Sequence, residues 1–284
     1  MNVNDFFFSY KTSVKSQLLK KKYFKAIRRI FNFPYKFLIF KIKILLKIDK
    51  INLDKLKKLD INDLDKLFIH FNTDKGSKVK IAGKVIKGHN YSHHYEKYFS
   101  KFRNLEELKI LEIGSLIGGG TASFLNYFKS AEIICLDINP FNMKYHSKKF
   151  RPLYIDTQSR VIISDLANYI KYDFDIIIDD GSHNKRDQIL MLNYFLPKLK
   201  NSGLYVIEDT TQYLKIPSLN QDNLDYGVNE FLESIKKNGD HQTQFLNNIE
   251  KKKIQSEIKN LFFEEGNFYH KNQSLPEIIF IEKI

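Results

Sequence analysis

Two apolar stretches of the sequence, FDIIIDDGSH and GLYVIEDT, each run into a pair of carboxylates. The pairs are Asp179 with Asp180 and Glu208 with Asp209, and His183 stands three residues after Asp180. Carboxylates that are brought together repel one another unless a cation lies among them. Oxygen ligands suit Mg²⁺ or a similar divalent ion, so these residues are candidates for chemistry at a metal. His183 is close enough in sequence to act on a group bound there.

The two stretches are predicted to be neighbouring strands of a parallel sheet. Both are apolar on both faces, and a helical pattern over Lys185–Leu199 joins them. Neighbouring strands lie about 4.8 Å apart, so acids at their carboxyl ends would converge in one crevice, where open α/β sheets bind ligands. The alternative is that Asp180 caps the following turn while Glu208 and Asp209 pair with nearby lysines.

Three further strands are predicted, and a glycine-rich turn follows the first of them. KILEIGS ends in Glu112 and Gly114 and runs into SLIGGGTASF, where backbone can approach a ligand and a helix start offers free N–H groups. The spacing is not the dinucleotide fingerprint G-x-G-x-x-G. EIICLDIN ends in Asp137, which is placed to accept hydrogen bonds from ribose hydroxyls. RPLYIDTQ ends in Asp156 and Gln158, which are candidates for the edge of an adenine.

The regular alternation of strand and helix predicts a doubly wound parallel α/β sheet. Residues 226–260 are predicted to be helical, and NLFFEEGNFYH and PEIIFIEKI to be a closing pair of strands. We divide the chain into a basic amphipathic helical arm over residues 1–60, a helical lead-in or cap over 61–108, and the sheet domain over 109–284.

The formal net charge of +13 lies almost entirely in the arm. Residues 1–60 hold 16 Lys/Arg and 4 Asp/Glu, or +12, and the rest holds 30 and 29, or +1. From Val14 to Phe31 apolar residues recur at helical spacing between basic ones. We expect this segment to dock on its own domain or on a partner subunit, or residues 14–48 to contact an anionic membrane surface. Nucleic acid is disfavoured, because the body has no basic excess.

Compartment and membrane topology follow from three local features. The single cysteine, Cys135, excludes an intrachain disulfide and fits a reducing compartment. The start MNVNDFFFSY has no basic segment before an apolar core and predicts no secretory signal. The apolar run Phe33–Ile48 is interrupted by Pro34 and four lysines and is too charged to span a bilayer. We expect a cytoplasmic protein with peripheral contact at the inner membrane face.

In this order and spacing, LEIGSLIGGG, LDIN, IIIDDGSH and YVIEDT resemble the motifs of a class I S-adenosylmethionine-dependent methyltransferase. The upstream segment TDKG…HNYSHHYEKYF narrows the resemblance to the metal-dependent sugar O-methyltransferases that act on macrolide antibiotics, the macrocin and mycinamicin type. It covers about residues 70–213 and leaves the arm outside. It implies a Rossmann-like seven-stranded sheet whose last strand is antiparallel, with S-adenosylmethionine and Mg²⁺ or a similar divalent cation as cofactors. We also expect a saccharide or other small-molecule substrate and a homo-oligomer.

The resemblance also implies a role for each candidate residue. Asp180, Glu208 and Asp209 match the metal ligands, and His183 matches the general base. The positions that match the cofactor site are Glu112, Gly114, Ser115, Asp137, Asp156, Gln158 and Asp179. A sugar hydroxyl holds its proton tightly, so a cation that stabilises the alkoxide and a histidine that takes the proton would both assist methyl transfer. The hypothesis is O-methylation of a glycoside or saccharide precursor.

Two other functions remain open. Some proteins with this pattern resemble a cephalosporin hydroxylase-like oxygenase, which would keep the fold and change the reaction. The fold could also serve as the scaffold of a membrane-surface or nucleic-acid binding protein. Bound iron with oxygen-dependent product would favour the first, and vesicle or RNA binding without methyl transfer would favour the second.

Overall fold

The computed structural model describes residues 1–46, 51–56, 59, 61–237, 243–270 and 273–284. In this part of the chain the α-helices are α1 (Val3–Leu19), α2 (Tyr23–Phe31), α3 (Phe33–Leu46), α4 (Leu64–Phe71), α5 (Ser92–Phe99), α6 (Gly119–Tyr127), α7 (Arg160–Tyr169), α8 (Lys185–Phe195), α9 (Val228–Lys237) and α10 (Asn248–Glu257). The Asn184 side chain accepts the Arg186 N–H and so begins α8. This helix ends earlier than the sequence predicts, because Pro197 cannot donate a helical hydrogen bond and a 3-10 turn replaces the last residues.

The strands of the described residues are β1 (Ile51–Asn52), β2 (Lys78–Ile81), β3 (Lys84–Lys87), β4 (Leu108–Ile113), β5 (Ala131–Asp137), β6 (Tyr145–His146), β7 (Phe150–Tyr154), β8 (Phe174–Asp179), β9 (Leu199–Ile207), β10 (Ile258–His270) and β11 (Gln273–Lys283). Seven of them form one sheet in the order β10-β11-β9-β8-β4-β5-β7. The five strands from β9 to β7 in this order run parallel, and β11 pairs antiparallel with β9. The predicted doubly wound, Rossmann-like sheet with an antiparallel end is therefore confirmed.

The register of the central strands brings their carboxyl ends to one edge of the sheet. Asp179 of β8 lies opposite Ile113 of β4 on one side and opposite Ile207 of β9 on the other. Along β8, Ile177 packs into one buried core, whereas Ile176 and Ile178 pack into the core on the opposite face. Burial on both faces explains the continuous apolar run that the sequence shows here.

The lead-in segment differs from its prediction. The sequence predicts a helical arm up to residue 60 and a helical lead-in from residue 61, but none of the described residues between 51 and 63 belongs to an α-helix, and α4 begins at Leu64. Ile51 and Asn52 instead pair with Tyr145 and His146 as the short parallel bridge of β1 and β6. The Asn52 side chain accepts the Asp54 N–H, which favours a turn over a helix at this point.

Helix α1 lies along β7, the edge strand of the sheet. The Ser9 hydroxyl accepts the backbone N–H of Tyr154 at 3.1 Å, and Asp5 pairs with Arg151 at 2.7 Å. Docking on the chain's own body, one of the alternatives for the basic segment, therefore describes α1. Among the described helices, none has the length and hydropathy needed to cross a membrane.

Candidate active site

The four predicted acids lie at adjacent tips of β8 and β9. Sheet hydrogen bonding continues one residue past each strand: the Asp180 N–H donates to the Ile113 carbonyl and the Glu208 N–H to the Asp179 carbonyl, both at 2.9 Å. These bonds fix the backbone that carries the carboxylates. The structure thus places the acids together at the carboxyl edge of the sheet, as the sequence predicts.

Lys75 neutralises part of this cluster of acids. The sequence alone does not predict this role. Its side chain is only 2% exposed, and its Nζ donates to Asp180 Oδ2 and, at 2.7 and 2.8 Å, to the two oxygens of Glu208. Burial alone would lower the pKa of Lys75, but the charges of Asp180 and Glu208 outweigh it and hold this pKa well above its usual value. The alternative, in which Glu208 and Asp209 pair with nearby lysines, is therefore observed for Glu208, whereas the second carboxylate on Lys75 is Asp180.

Glu208 accepts hydrogen bonds from buried donors besides Lys75. The Tyr95 hydroxyl donates to Glu208 Oε1, and the Gln188 side-chain amide donates to the Glu208 carbonyl at 2.9 Å. Lys75 and Tyr95 together supply the hydrogen bonds that the buried carboxylate needs, and Gln188 satisfies the backbone carbonyl of the same residue. Lys75 and Tyr95 lie in the segment between α4 and β4. The stretches TDKG and HYEKYF of this segment contribute to the resemblance, but the sequence alone predicts no role for either residue.

Asp209 has a different set of partners, mainly histidine and tyrosine. The Tyr91 hydroxyl donates to Asp209 Oδ1 at 2.7 Å, and the Gln212 amide donates to Oδ2 at 3.0 Å. The Nδ1 of His89 lies 3.4 Å from Oδ1. Burial acts to raise the pKa of Asp209, but His89, His183 and the Tyr91 hydrogen bond lower it below its usual value. Asp209 therefore remains a carboxylate in a buried place.

His183 stands between two of the acids. Its Nε2 lies 3.7 Å from Asp180 Oδ1 and 3.7 Å from Asp209 Oδ2, while its buried Nδ1 has no hydrogen-bond partner among the described residues. One ligand atom from each of these three residues lies within 4.8 Å of the others, a grouping that could hold a metal ion. The two carboxylates suit a divalent cation, and the imidazole beside them suits the predicted role of a base. Of the three predicted ligands, Asp180 and Asp209 thus belong to this group, whereas Glu208 is placed toward Lys75.

The glycine turn after β4 is set by backbone packing. Gly114 has φ +85°, and a Cβ built there would lie 1.8 Å from the carbonyl oxygen of Asp180. The sequence predicts that the glycine turn lets backbone approach a ligand, and the structure places Gly114 against the tip of β8. Gly114 therefore allows the turn to lie directly against the acid cluster.

Glu112, which precedes this turn, is a buried acid with few partners. It accepts a hydrogen bond from the Thr121 hydroxyl of α6. Burial raises the pKa of Glu112 to about 7, although Lys75 and Thr121 act in the opposite direction. A Cβ on Gly120 would lie 2.4 Å from Glu112 Oε1, so a larger residue at that position of α6 would displace the Glu112 carboxyl group.

Two buried oxygens near the predicted cofactor crevice have no hydrogen-bond partner in the described part of the chain. They are Ser115 Oγ and Asp179 Oδ2. Burial raises the pKa of Asp179 to about 8, and the only described hydrogen bond to its side chain comes from the Gly181 N–H at 3.3 Å. Unsatisfied buried polar atoms are rare, and a bound ligand is one reason for them. These two atoms fit the cofactor site that the resemblance implies.

The other predicted cofactor residues lie along the same edge of the sheet. Asp137 accepts the N–H groups of Leu116 at 2.8 Å and Asn139 at 2.7 Å, which orients its carboxylate beside the glycine turn. Farther along, Lys20 lies 2.6 Å from the buried Asp156 and donates to the Gln158 side chain at 3.0 Å. The C-terminal end of α1 thus reaches the residues predicted to contact adenine.

A large cavity lies away from this cluster. It has a volume of about 750 Å³ and lies between the arm and the edge of the sheet, with Phe6, Phe40, Phe141 and Tyr154 in its lining. None of the acids at the tips of β8 and β9 lines it. The chemistry of the clustered side chains, rather than cavity size, therefore locates the candidate active site.

The sheet order, the glycine turn and the acids at the strand tips define a class I methyltransferase fold. MycE methyltransferase from the mycinamycin biosynthetic pathway, solved in complex with Mg and SAH, has this fold, with a TM-score of 0.56 and 22% identity. The alignment covers 78% of this chain and 54% of that chain.

The chain is similar in sequence to several curated proteins, although no protein-family model matches it. Demethylmacrocin O-methyltransferase of Streptomyces fradiae is 33% identical over 131 residues, covering 43% of this chain and 32% of that protein. Mycinamicin VI 2''-O-methyltransferase of Micromonospora griseorubida is 30% identical over 131 residues, covering 43% and 31%. The chain spans about a third of the length of these relatives. The predicted resemblance to the macrolide-sugar O-methyltransferases is confirmed.

Proposed function

We propose that this chain is an S-adenosylmethionine- and Mg²⁺-dependent O-methyltransferase that methylates a sugar hydroxyl of a glycoside or saccharide precursor. The observation that carries the proposal is the convergence of Asp180, His183 and Asp209 at the carboxyl edge of a methyltransferase sheet. The relatives named above are O-methyltransferases, which favours methyl transfer over the hydroxylase-like alternative.

Asp180 and Asp209 would hold the cation, with Glu208 as the third predicted ligand. When bound, this cation supplies stabilisation of the negative charge that develops on the acceptor oxygen. His183 accepts the hydroxyl proton at Nε2, since its two neighbouring carboxylates, each 3.7 Å away, stabilise the imidazolium that results. Lys75 balances the charge of the remaining carboxylate oxygens.

The cofactor would lie across the tips of β4, β5 and β8. Asp137, already oriented by two backbone N–H groups, can accept ribose hydroxyls. The unpartnered oxygens of Ser115 and Asp179 supply further hydrogen bonds, and a protonated Asp179 can donate as well as accept. These residues hold the donor while His183 and the acids orient the acceptor. Correct orientation alone can contribute roughly 7–11 kcal/mol in ideal systems.

The test is methyl transfer from labelled S-adenosylmethionine to a panel of glycosides, with Mg²⁺ and after chelation. Turnover should disappear with EDTA and return with Mg²⁺. Asp180→Ala should abolish turnover while calorimetry shows that cofactor binding is retained. Asp173→Asn is the matched control, because Asp173 is exposed at the opposite end of the same strand.

Two results would count against this function. Turnover that resists complete chelation would remove the role of the metal. Bound iron together with oxygen-dependent product would identify the hydroxylase-like reaction instead.

A further inference from the structure

Helix α2 exposes an apolar face to solvent. Only Ala26 of this helix is buried, whereas Phe24 and Phe31 are each 79% exposed. The other exposed apolar residues are Tyr23, Ile27 and Ile30. Positions 23, 24, 27, 30 and 31 recur at helical spacing, so these five side chains lie on one face of the helix.

Helix α3 continues this exposure with a stripe of its own. Tyr35, Leu38 and Ile42 are exposed and are spaced by three and four residues, so they share a face. The opposite face of α3 packs on α1. The ring of Phe40 stacks on that of Phe6 with the centroids 4.3 Å apart, and the centroids of Phe37 and Phe7 are 5.3 Å apart. The exposed stripe is therefore presented outward by a packed inner face. We call the apolar face of α2 and this stripe the arm surface.

Basic side chains surround the arm surface. Residues 6–48 contain no Asp or Glu. The exposed basic residues of this part of the arm include Lys21, Lys22, Lys25, Arg28, Lys36 and Lys41. A patch of largely exposed aromatic and aliphatic residues next to an excess of positive charge marks an interaction site.

An apolar face surrounded by basic residues favours one kind of binding partner. A second copy of this chain offers an equally basic arm and a body of charge +1, so its charge does not complement the arm surface. A nucleic acid would neutralise the lysines but leave the apolar face uncovered. An anionic phospholipid surface satisfies both, because the apolar face enters the headgroup boundary and the Lys and Arg side chains are attracted to the lipid phosphates.

We propose that the arm surface docks the protein on an anionic phospholipid bilayer. Helix α1 stays on the body, held by Asp5 and Ser9, and α2 carries the contact. Lys20, three residues before α2, pairs with Asp156 at 2.6 Å, so the docked helix lies next to the predicted adenine end of the crevice. The proposal does not rest on methyl transfer and is tested without it.

The experiment is co-sedimentation of the full chain with vesicles of phosphatidylcholine alone or mixed with phosphatidylglycerol. We expect binding to the mixed vesicles that weakens with salt, and none to the neutral ones. The double variant Phe24→Ser/Phe31→Ser should lose at least tenfold in affinity, and Lys25→Gln/Arg28→Gln should lose affinity and part of the salt dependence.

The matched control replaces exposed apolar residues elsewhere. Ile249→Ser, at a position 80% exposed on α10, should bind as the unaltered chain does. Because the substituted side chains are exposed, circular dichroism should show unchanged folding for every variant. Three results would overturn the proposal: no binding to the mixed vesicles, equal loss in the Ile249 control, or a dimer in sedimentation equilibrium that the Phe24/Phe31 variant abolishes. RNA binding with no vesicle binding would assign the arm to nucleic acid instead.

Discussion

The Nζ of Lys75 lies 2.7 Å from Oε1 of Glu208, and the same ammonium group donates to Asp180. A lysine cation thus stands between two carboxylates that the sequence predicts to bind a metal. Lys75 comes from the lead-in segment, far in sequence from both acids, and it joins that segment to the tips of β8 and β9. Its removal would leave two buried acids without a counter-charge.

Lys75→Met should lower the free energy of unfolding by about 3–5 kcal/mol, because an uncompensated buried charge remains. Urea denaturation measures the change. Lys66→Met, at an exposed pair with Asp63, should stay within about 1 kcal/mol of the unaltered chain. Saturating Mg²⁺ should recover part of the loss in Lys75→Met. An absence of any Mg²⁺ effect on this variant would contradict cation binding by the freed acids.

Gly114→Ala should destabilise the chain by more than about 3 kcal/mol, because the new Cβ meets the Asp180 carbonyl and backbone must shift. Gly83→Ala is the matched control, since Gly83 has a similar φ of +82° but nothing within 4 Å of an added Cβ. It should cost only the left-handed strain of about 1–2 kcal/mol. Equal losses in the two variants would show that packing at the strand tips is not the cause.

His183→Gln should lower kcat by about 10²–10⁴-fold, the usual contribution of a positioned base. The Kd for S-adenosylmethionine, measured by calorimetry, should stay unchanged because His183 faces the acids rather than the cofactor residues. His70→Gln, at an exposed position of α4, serves as the control and should leave both constants alone. Unchanged kcat in His183→Gln would remove this residue from proton transfer.

Glu112 should make stability depend on pH. Its pKa in the folded chain is about 7, above the ordinary value of 4.5, so unfolding releases a proton between these pH values. The stability that the neutral carboxyl provides is therefore complete below about pH 4.5 and is lost as pH rises to about 7. Relative to Glu112→Gln, the unaltered chain without cofactor should lose on the order of 3 kcal/mol across this window. Parallel stability curves for the two proteins would refute the raised pKa.

Ser16→Ala combined with Lys20→Met should raise the Kd for S-adenosylmethionine by about tenfold. The two side chains hold the buried Asp156, and their loss releases a predicted cofactor residue at a cost of about 1–2 kcal/mol. Lys15→Met is the control, because its partner Asp165 is exposed and lies on α7 rather than at the end of β7 with Asp156. If the double variant and the control bind the cofactor equally, the arm has no part in that site.

The sheet and the acid cluster could be predicted because they depend on local patterns. Apolar runs such as FDIIIDD are buried on both faces, and parallel pairing then fixes which residues follow the strand ends. The role of Lys75 could not be predicted in this way, because its partners are more than one hundred residues away and a lysine in a polar segment is ordinarily exposed. The same holds for Tyr91 and Tyr95, whose hydroxyl partners are set by tertiary packing.

The arm shows what helical spacing alone cannot predict. The spacing of apolar residues from Val14 to Phe31 predicts a helix, and both ends of this range are helical. The spacing does not show that the chain turns between Leu19 and Tyr23. Lys21 adopts φ +55° there, which separates a docked helix from an exposed one. Nor does periodicity reveal that Ser16 and Lys20 reach Asp156, since the contact joins segments that fold together only in the tertiary structure.

The contact between Ser9 and Tyr154 has a consequence for truncated forms of the protein. Strand β7 is the outer strand of the sheet on that side, and α1 conceals its hydrogen-bonding groups. A shortened chain that lacks α1 would present an open strand to other molecules, and open strands promote self-association. Aggregation of such a fragment would therefore report the lost cover of the strand rather than any property of the candidate active site.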